Sequence, residues 1–247
     1  MGDPAGIGPE IVVKAVSKKE IQDIAKVVVI GDGKILEKAV EICKLPIRLQ
    51  KIEKVEDLMD IVRLGVMTTP SVMVEECGEE KDTLYYMQEG EISMADFAYG
   101  KVSAMCGKAA FSYIKKSIEL ANAKLVDAVA TTPINKESLK AAEVPFIGHT
   151  EIFGSLTNTE DPLTMFECNG MRVFFLTRHV SLRKMLDMIT KERIKDYVKR
   201  CLEALKKLGV TDGKMAIAGL NPHCGEHGLF GDEEVREIMP AVEELQK

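Results

Sequence analysis

Apolar residues along this chain fall into two alternating kinds of run. Short unbroken runs read as buried strands, and longer runs with apolar positions at i, i+3 and i+4 read as amphipathic helices. Strands are expected at Lys26–Ile30, Ile47–Ile52, Ser71–Val74, Leu125–Ala130, Thr164–Glu167, Arg172–Leu176 and Met215–Leu220. Helices are expected over Ile11–Val16, Ile35–Ile42, Ala104–Ala121, a short run ending near Leu156, a stretch after Ser181, Lys191–Leu208 and Glu233–Leu245. The Ala104 helix puts Ala110, Tyr113, Ile114, Ile118 and Ala121 on one face, with Lys115, Lys116 and Glu119 turned away. The stretch from Cys77 to Tyr86 is polar and mixed, and no element is assigned to it. Alternation of strands and helices, without an internal repeat or a low-complexity tract, predicts an α/β protein with an at least partly parallel sheet.

Composition narrows the partners more than the fold. The chain has 247 residues, 46% of them hydrophobic and 29% charged, enough for one large α/β domain or two lobes. A net charge of −6 with no basic block argues against nucleic acid or an anionic membrane as partner. No apolar run is long enough to span a membrane and no signal peptide opens the chain, so a cytoplasmic protein is expected. The six cysteines are scattered, with no C-x-x-C pair, as expected of reduced thiols. Cys224 beside His223 reads either as a nucleophile or ligand or as a small half-buried thiol.

Candidate chemistry gathers where strands are expected to end. Asn221-Pro222-His223-Cys224-Gly225-Glu226-His227-Gly228 lies between the Met215–Leu220 run and the acidic first turn of the last helix. It carries two of the four histidines. Open α/β sheets place ligands at that edge. The equally open alternative is a plain strand-to-helix turn with surface histidines. Lys136, after Thr131-Thr132-Pro133-Ile134-Asn135, could bind an anion or move a proton, or could be a solvated helix-start lysine. His149 and Thr150 precede a helix and could donate to an anionic substrate, or Thr150 could merely cap that helix. His149, His179 and His223 each follow an expected strand end, and imidazoles suit a divalent metal able to polarise a hydroxyl or carbonyl. Gly31-Asp32-Gly33 starts like a dinucleotide fingerprint, but Leu36 stands where the third glycine belongs, so a plain turn is expected there. A P-loop, H-E-x-x-H and G-x-S-x-G are absent from the sequence.

Several motifs occur together in one order: Gly2-Asp3-Pro4-Ala5-Gly6-Ile7-Gly8-Pro9-Glu10, Pro133-Ile134-Asn135-Lys136, Gly148-His149-Thr150-Glu151, Thr177-Arg178-His179 and Asn221-Pro222-His223-Cys224-Gly225-Glu226. On these the chain resembles the 4-hydroxythreonine-4-phosphate dehydrogenase (PdxA) family of pyridoxal phosphate biosynthesis. The resemblance implies a two-lobed α/β/α fold similar to isocitrate and isopropylmalate dehydrogenases, with a mostly parallel sheet, residues 1–247 forming two intertwined lobes, and a homodimer with its site at the interface. It implies NAD-dependent, metal-dependent oxidation and decarboxylation of a small four-carbon phosphorylated substrate. By motif, His149 and Thr150 would bind substrate, His179 and His223 would hold the metal (zinc, magnesium, cobalt or manganese), and Lys136 would be a catalytic residue.

Two departures qualify the resemblance. Arg178-His179-Val180-Ser181 and Glu226-His227-Gly228-Leu229-Phe230 look more like the branch acting on 4-phospho-D-threonate or 4-phospho-D-erythronate. The family also has an opening strand before the Gly2 motif, and a third metal-binding histidine and substrate-binding Lys, Asn and Arg beyond Lys247. The chain is therefore expected to be incomplete at both ends. A non-catalytic remnant that binds a phosphorylated acid or a partner, and a metal-dependent lyase or hydrolase, are the competing expectations.

Overall fold

The structure is a computed structural model and describes residues 1–58 and 83–246. The described chain divides into two compact units, Met1–Glu160 and Asp161–Lys247.

In the first unit, α1 (Gly8–Val16) and the single turn α2 (Lys19–Gln22) precede β1 (Val28–Gly31), α3 (Gly33–Cys43), β2 (Arg48–Ile52) and β3 (Thr83–Gln88). The strands form one parallel sheet in the order β1-β3-β2, with Val28 beside Tyr85 and Arg48 beside Thr83. β3, the central strand, is the element the sequence pattern did not supply. Its Leu84 and Met87 are buried, but they stand three positions apart with the half-buried Tyr85 and Tyr86 between them, so the run shows no simple strand period. The expected Ser71–Val74 strand and the start of the Cys77–Tyr86 stretch lie outside the described residues.

Helices cover both faces of this sheet, as parallel sheets require. Ile30, Ile52 and Met87 pack with Tyr113 and Leu120 of α4 (Ala104–Asn122) on one face. Val29 and Leu84 pack with Val13 of α1 and with Leu36 and Ala39 of α3 on the other. Asp32 starts α3 by accepting the amides of Lys34 and Ile35, and Ser103 starts α4 by accepting that of Cys106. Two short helices follow, α5 (Lys136–Ala141) and α6 (His149–Leu156).

The expected strand over Leu125–Ala130 is not formed, and Asp127, Ala128 and Ala130 are exposed. An apolar run becomes a strand only when a neighbour completes its hydrogen-bond ladder. Among the described residues none pairs with 125–130. Beside β1 lies instead the start of the chain: the Met1 ammonium donates to Ile30 O at 3.1 Å, and the Asp3 amide to Pro133 O at 3.1 Å.

The second unit opens on an antiparallel hairpin, β4 (Met165–Cys168) and β5 (Met171–Phe174), in register Cys168 to Met171. Asn169 and Gly170, both at positive φ, make the two-residue turn that matches strand twist. Helices α7 (Leu182–Asp187) and α8 (Lys191–Lys207) follow, capped by Ser181 and Thr190. Ile189, Ile194, Ile238 and Ala241 form the core of this unit. The expected strand at Met215–Leu220 is also absent: only Ile217 and Leu220 are half-buried, packing on that core, while the rest of the run is exposed. The expected terminal helix is present in two parts, a π-helical turn at Glu234–Ile238 and α9 (Met239–Leu245). Pro240 lacks an amide hydrogen, so a widened turn before it accommodates the missing bond.

Candidate active-site residues

Three motifs far apart in sequence converge within the first unit. The Gly2–Glu10 loop is tied to the Pro133–Lys136 segment by Asp3 N to Pro133 O, and Thr132 Oγ1 donates to Met1 O at 2.5 Å. Gly2 has φ +74°, and a β-carbon there would lie 2.5 Å from Pro133 O, so this contact needs glycine. Asp3 is buried, accepts the Ala5 amide at 2.8 Å, and is raised above the ordinary carboxylate range chiefly by burial. Ile134 and Ile152 share one apolar cluster with Ile114 and Ile118, which draws α6 against the same segment.

Lys136 is the first residue of α5 and is exposed; the Asn135 side chain caps that helix by accepting the Ser138 amide at 2.8 Å. His149 is the first residue of α6, which starts at Gly148 without a side-chain cap. Thr150 is exposed at the second helical position, which corrects the alternative that it caps the helix. A helix start without a capping side chain presents amide donors suited to a phosphate or carboxylate. His149 Nε2 is buried with no hydrogen-bond partner. Burial, and then the positive charge of the Met1 ammonium, lower the His149 pKa, favouring the neutral imidazole.

His179 and His223 lie on two loops of the second unit, and both are exposed with φ near +50°. Leu176 and Leu220, each three residues upstream, pack on the same core cluster. Arg178 is held against the start of the unit: its guanidinium donates to Thr164 Oγ1 at 2.5 Å and to Pro162 O at 2.6 Å, with Asp161 at 3.9 Å. Asn221 is gripped by Glu233 and Glu234, and its hydrogen bonds push the Glu234 carboxyl down to about 2. Glu234 is buried beneath Leu220 and Asn221, a position the sequence pattern does not single out, because an acidic residue in a first helical turn reads as a dipole complement. Cys224 is exposed, not half-buried.

Two exposed imidazoles are suitable divalent-metal donors, but among the described residues no three His, Cys, Asp or Glu side chains gather to hold an ion. The donor set is partial, and no chemical step is derived through a metal. The Gly31-Asp32-Gly33 turn does not fit a dinucleotide phosphate: Asp32 Oδ1 takes the Lys34 and Ile35 amides, and Gln88 Oε1 takes that of Gly33 at 2.9 Å. It is the plain turn expected.

The family described as "Pyridoxal phosphate biosynthetic protein PdxA" matches residues 23–247. The chain belongs to the PdxA family. A relative from Fusobacterium nucleatum subsp. nucleatum, described as "Putative D-threonate 4-phosphate dehydrogenase", is 57% identical over the whole chain and 68% of its own length. A Clostridium botulinum (strain Hall) protein of the same description is 52% identical over the same shares. The crystal structure of 4-hydroxythreonine-4-phosphate dehydrogenase from Klebsiella pneumoniae is 33% identical, with a TM-score of 0.81, covering 100% of this chain and 69% of that one. PdxA relatives thus share both sequence and fold with this chain. No helix among the described residues is long and apolar enough to cross a membrane.

Proposed function

We propose that this chain is a PdxA-type dehydrogenase that oxidises the secondary alcohol of 4-phospho-D-threonate, after which the β-keto acid loses carbon dioxide to leave dihydroxyacetone phosphate. The observation that carries the reading is the 57% identity, along the whole chain, to a relative described as acting on D-threonate 4-phosphate, against 33% to a 4-hydroxythreonine-4-phosphate dehydrogenase. The Arg178-His179-Val180-Ser181 stretch points the same way.

NAD, when bound, accepts the hydride from the alcohol carbon. The α6 amides and the exposed Thr150 hydroxyl orient the phosphorylated acid, and the unpartnered His149 Nε2 bonds one of its oxygens. Lys136, exposed at the start of α5, moves the proton that leaves the hydroxyl. His179 and His223 are the donors toward a divalent cation, whether zinc, magnesium, cobalt or manganese. The same reading includes the two-lobed fold similar to isocitrate and isopropylmalate dehydrogenases and a homodimer.

NADH formation at 340 nm tests the reading, with a divalent metal and, in parallel, 4-phospho-D-threonate, 4-phospho-D-erythronate and 4-hydroxythreonine 4-phosphate. Turnover highest on 4-phospho-D-threonate supports it. Preference for 4-hydroxythreonine 4-phosphate overturns the substrate assignment, and consumption of substrate without NAD overturns the dehydrogenase reading.

A further inference from the structure

We infer that Glu234 is a positioning residue for His223: its buried carboxylate holds the Leu220–Asn221 backbone from which the turn carrying that imidazole springs. The inference rests on the reading that His223 works in the dehydrogenase site.

The turn is costly by itself. His223, Cys224, Gly225, Glu226 and His227 all have φ between 40° and 75°. Left-handed backbone is disfavoured for every residue other than glycine, so such a run persists only where its surroundings over-determine it. Glu234, 2% exposed, supplies that constraint. One of its oxygens, Oε1, accepts the amides of Leu220 at 2.8 Å and Asn221 at 2.6 Å, and Oε2 accepts Asn221 Nδ2 at 2.8 Å. Glu233 Oε2 accepts the same Nδ2 at 2.7 Å. Asn221 in turn starts the left-handed run, its carbonyl accepting the Cys224 amide at 3.0 Å.

The packing leaves no slack around this clamp. A β-carbon at Gly225 would lie 2.6 Å from Gly231 O and 3.0 Å from Glu234 Oε2, so the turn folds directly onto the carboxylate. Glu234 is spent on backbone amides and one side-chain amide, and it acts on chemistry only through the loop it fixes. Partners of this kind, one step removed from the working imidazole, typically change activity 10–100-fold when removed.

The test compares the wild-type chain with Glu234→Ala, Glu234→Gln and His223→Ala. Hydrogen exchange reads the Leu220 and Asn221 amides, and NADH formation from 4-phospho-D-threonate reads turnover. Glu234→Ala is expected to speed exchange of both amides at least about tenfold and to lower kcat about 10–100-fold, with KM within about twofold. Glu234→Gln keeps an acceptor for the two backbone amides and is expected to fall between. Unchanged exchange in a folded Glu234→Ala overturns the clamp. Faster exchange with unchanged kcat, while His223→Ala is slow, overturns the positioning role and spares the reading of His223. Normal turnover by His223→Ala overturns the reading beneath it.

Discussion

The amide of Asp3 donates to the carbonyl of Pro133 at 3.1 Å, joining the glycine-rich opening loop to the segment that ends at Lys136. Residues 130 positions apart thereby share one wall of the first unit. That bond is possible only because Gly2 lets the backbone approach so closely.

Replacing Gly2 by alanine is therefore expected to destabilise the first unit. The new methyl would sit 2.5 Å from both Pro133 O and Thr132 Oγ1, at a φ that alanine resists. A loss of about 2 kcal/mol in urea denaturation is expected, the scale of core overpacking. A Gly2→Ala chain as stable as wild type would show that the loop is free to move away.

His149 makes stability depend on pH in a defined direction. Its folded pKa lies below the ordinary 6.5, chiefly through burial. As pH falls below about 6.5, the unfolded chain takes up a proton that the folded chain refuses, so acidification favours unfolding. The loss levels off once pH passes below the folded pKa. Between pH 7.5 and 5.5 the urea midpoint of wild type should fall further than that of His149→Gln; equal falls would count against a buried neutral imidazole.

Arg178→Lys is expected to loosen the loop that carries His179. A guanidinium fork reaches Thr164 Oγ1, Pro162 O and Asp161 together, and an ammonium cannot reproduce that geometry. The expected loss is about 2 kcal/mol, as for hydrogen bonds to a charged group. Thermal unfolding of the variant measures it, and an unchanged midpoint would show that the fork contributes nothing.

Tyr197 offers the opposite sign. Its hydroxyl is buried without a partner, while Arg193 and Arg200 lie over its ring at 5.8 and 5.5 Å from the centroid. Tyr197→Phe removes the orphan hydroxyl and keeps both cation–π contacts. Stability should hold or rise by up to about 1 kcal/mol; a clear drop in the denaturation midpoint would reveal a hydrogen bond to that oxygen.

The long amphipathic helices and the family motifs were legible in the chain itself. Helices α4 and α8 end within two residues of the expected limits, because a three- to four-residue apolar period and a Ser or Thr cap are local signals. His149, His179 and His223 are candidates by motif alone, a reading that needs no coordinates. Strands depended on what lies beside them. Leu125–Ala130 and Met215–Leu220 have strand composition but no described partner, whereas the less apolar Thr83–Gln88 sits between two partners at the centre of the sheet. Only tertiary structure decided those cases, since a ladder is completed by residues distant in sequence. The same holds for Glu234, whose carboxylate is an ordinary helix-start acid until folding sets it beneath Leu220 and Asn221.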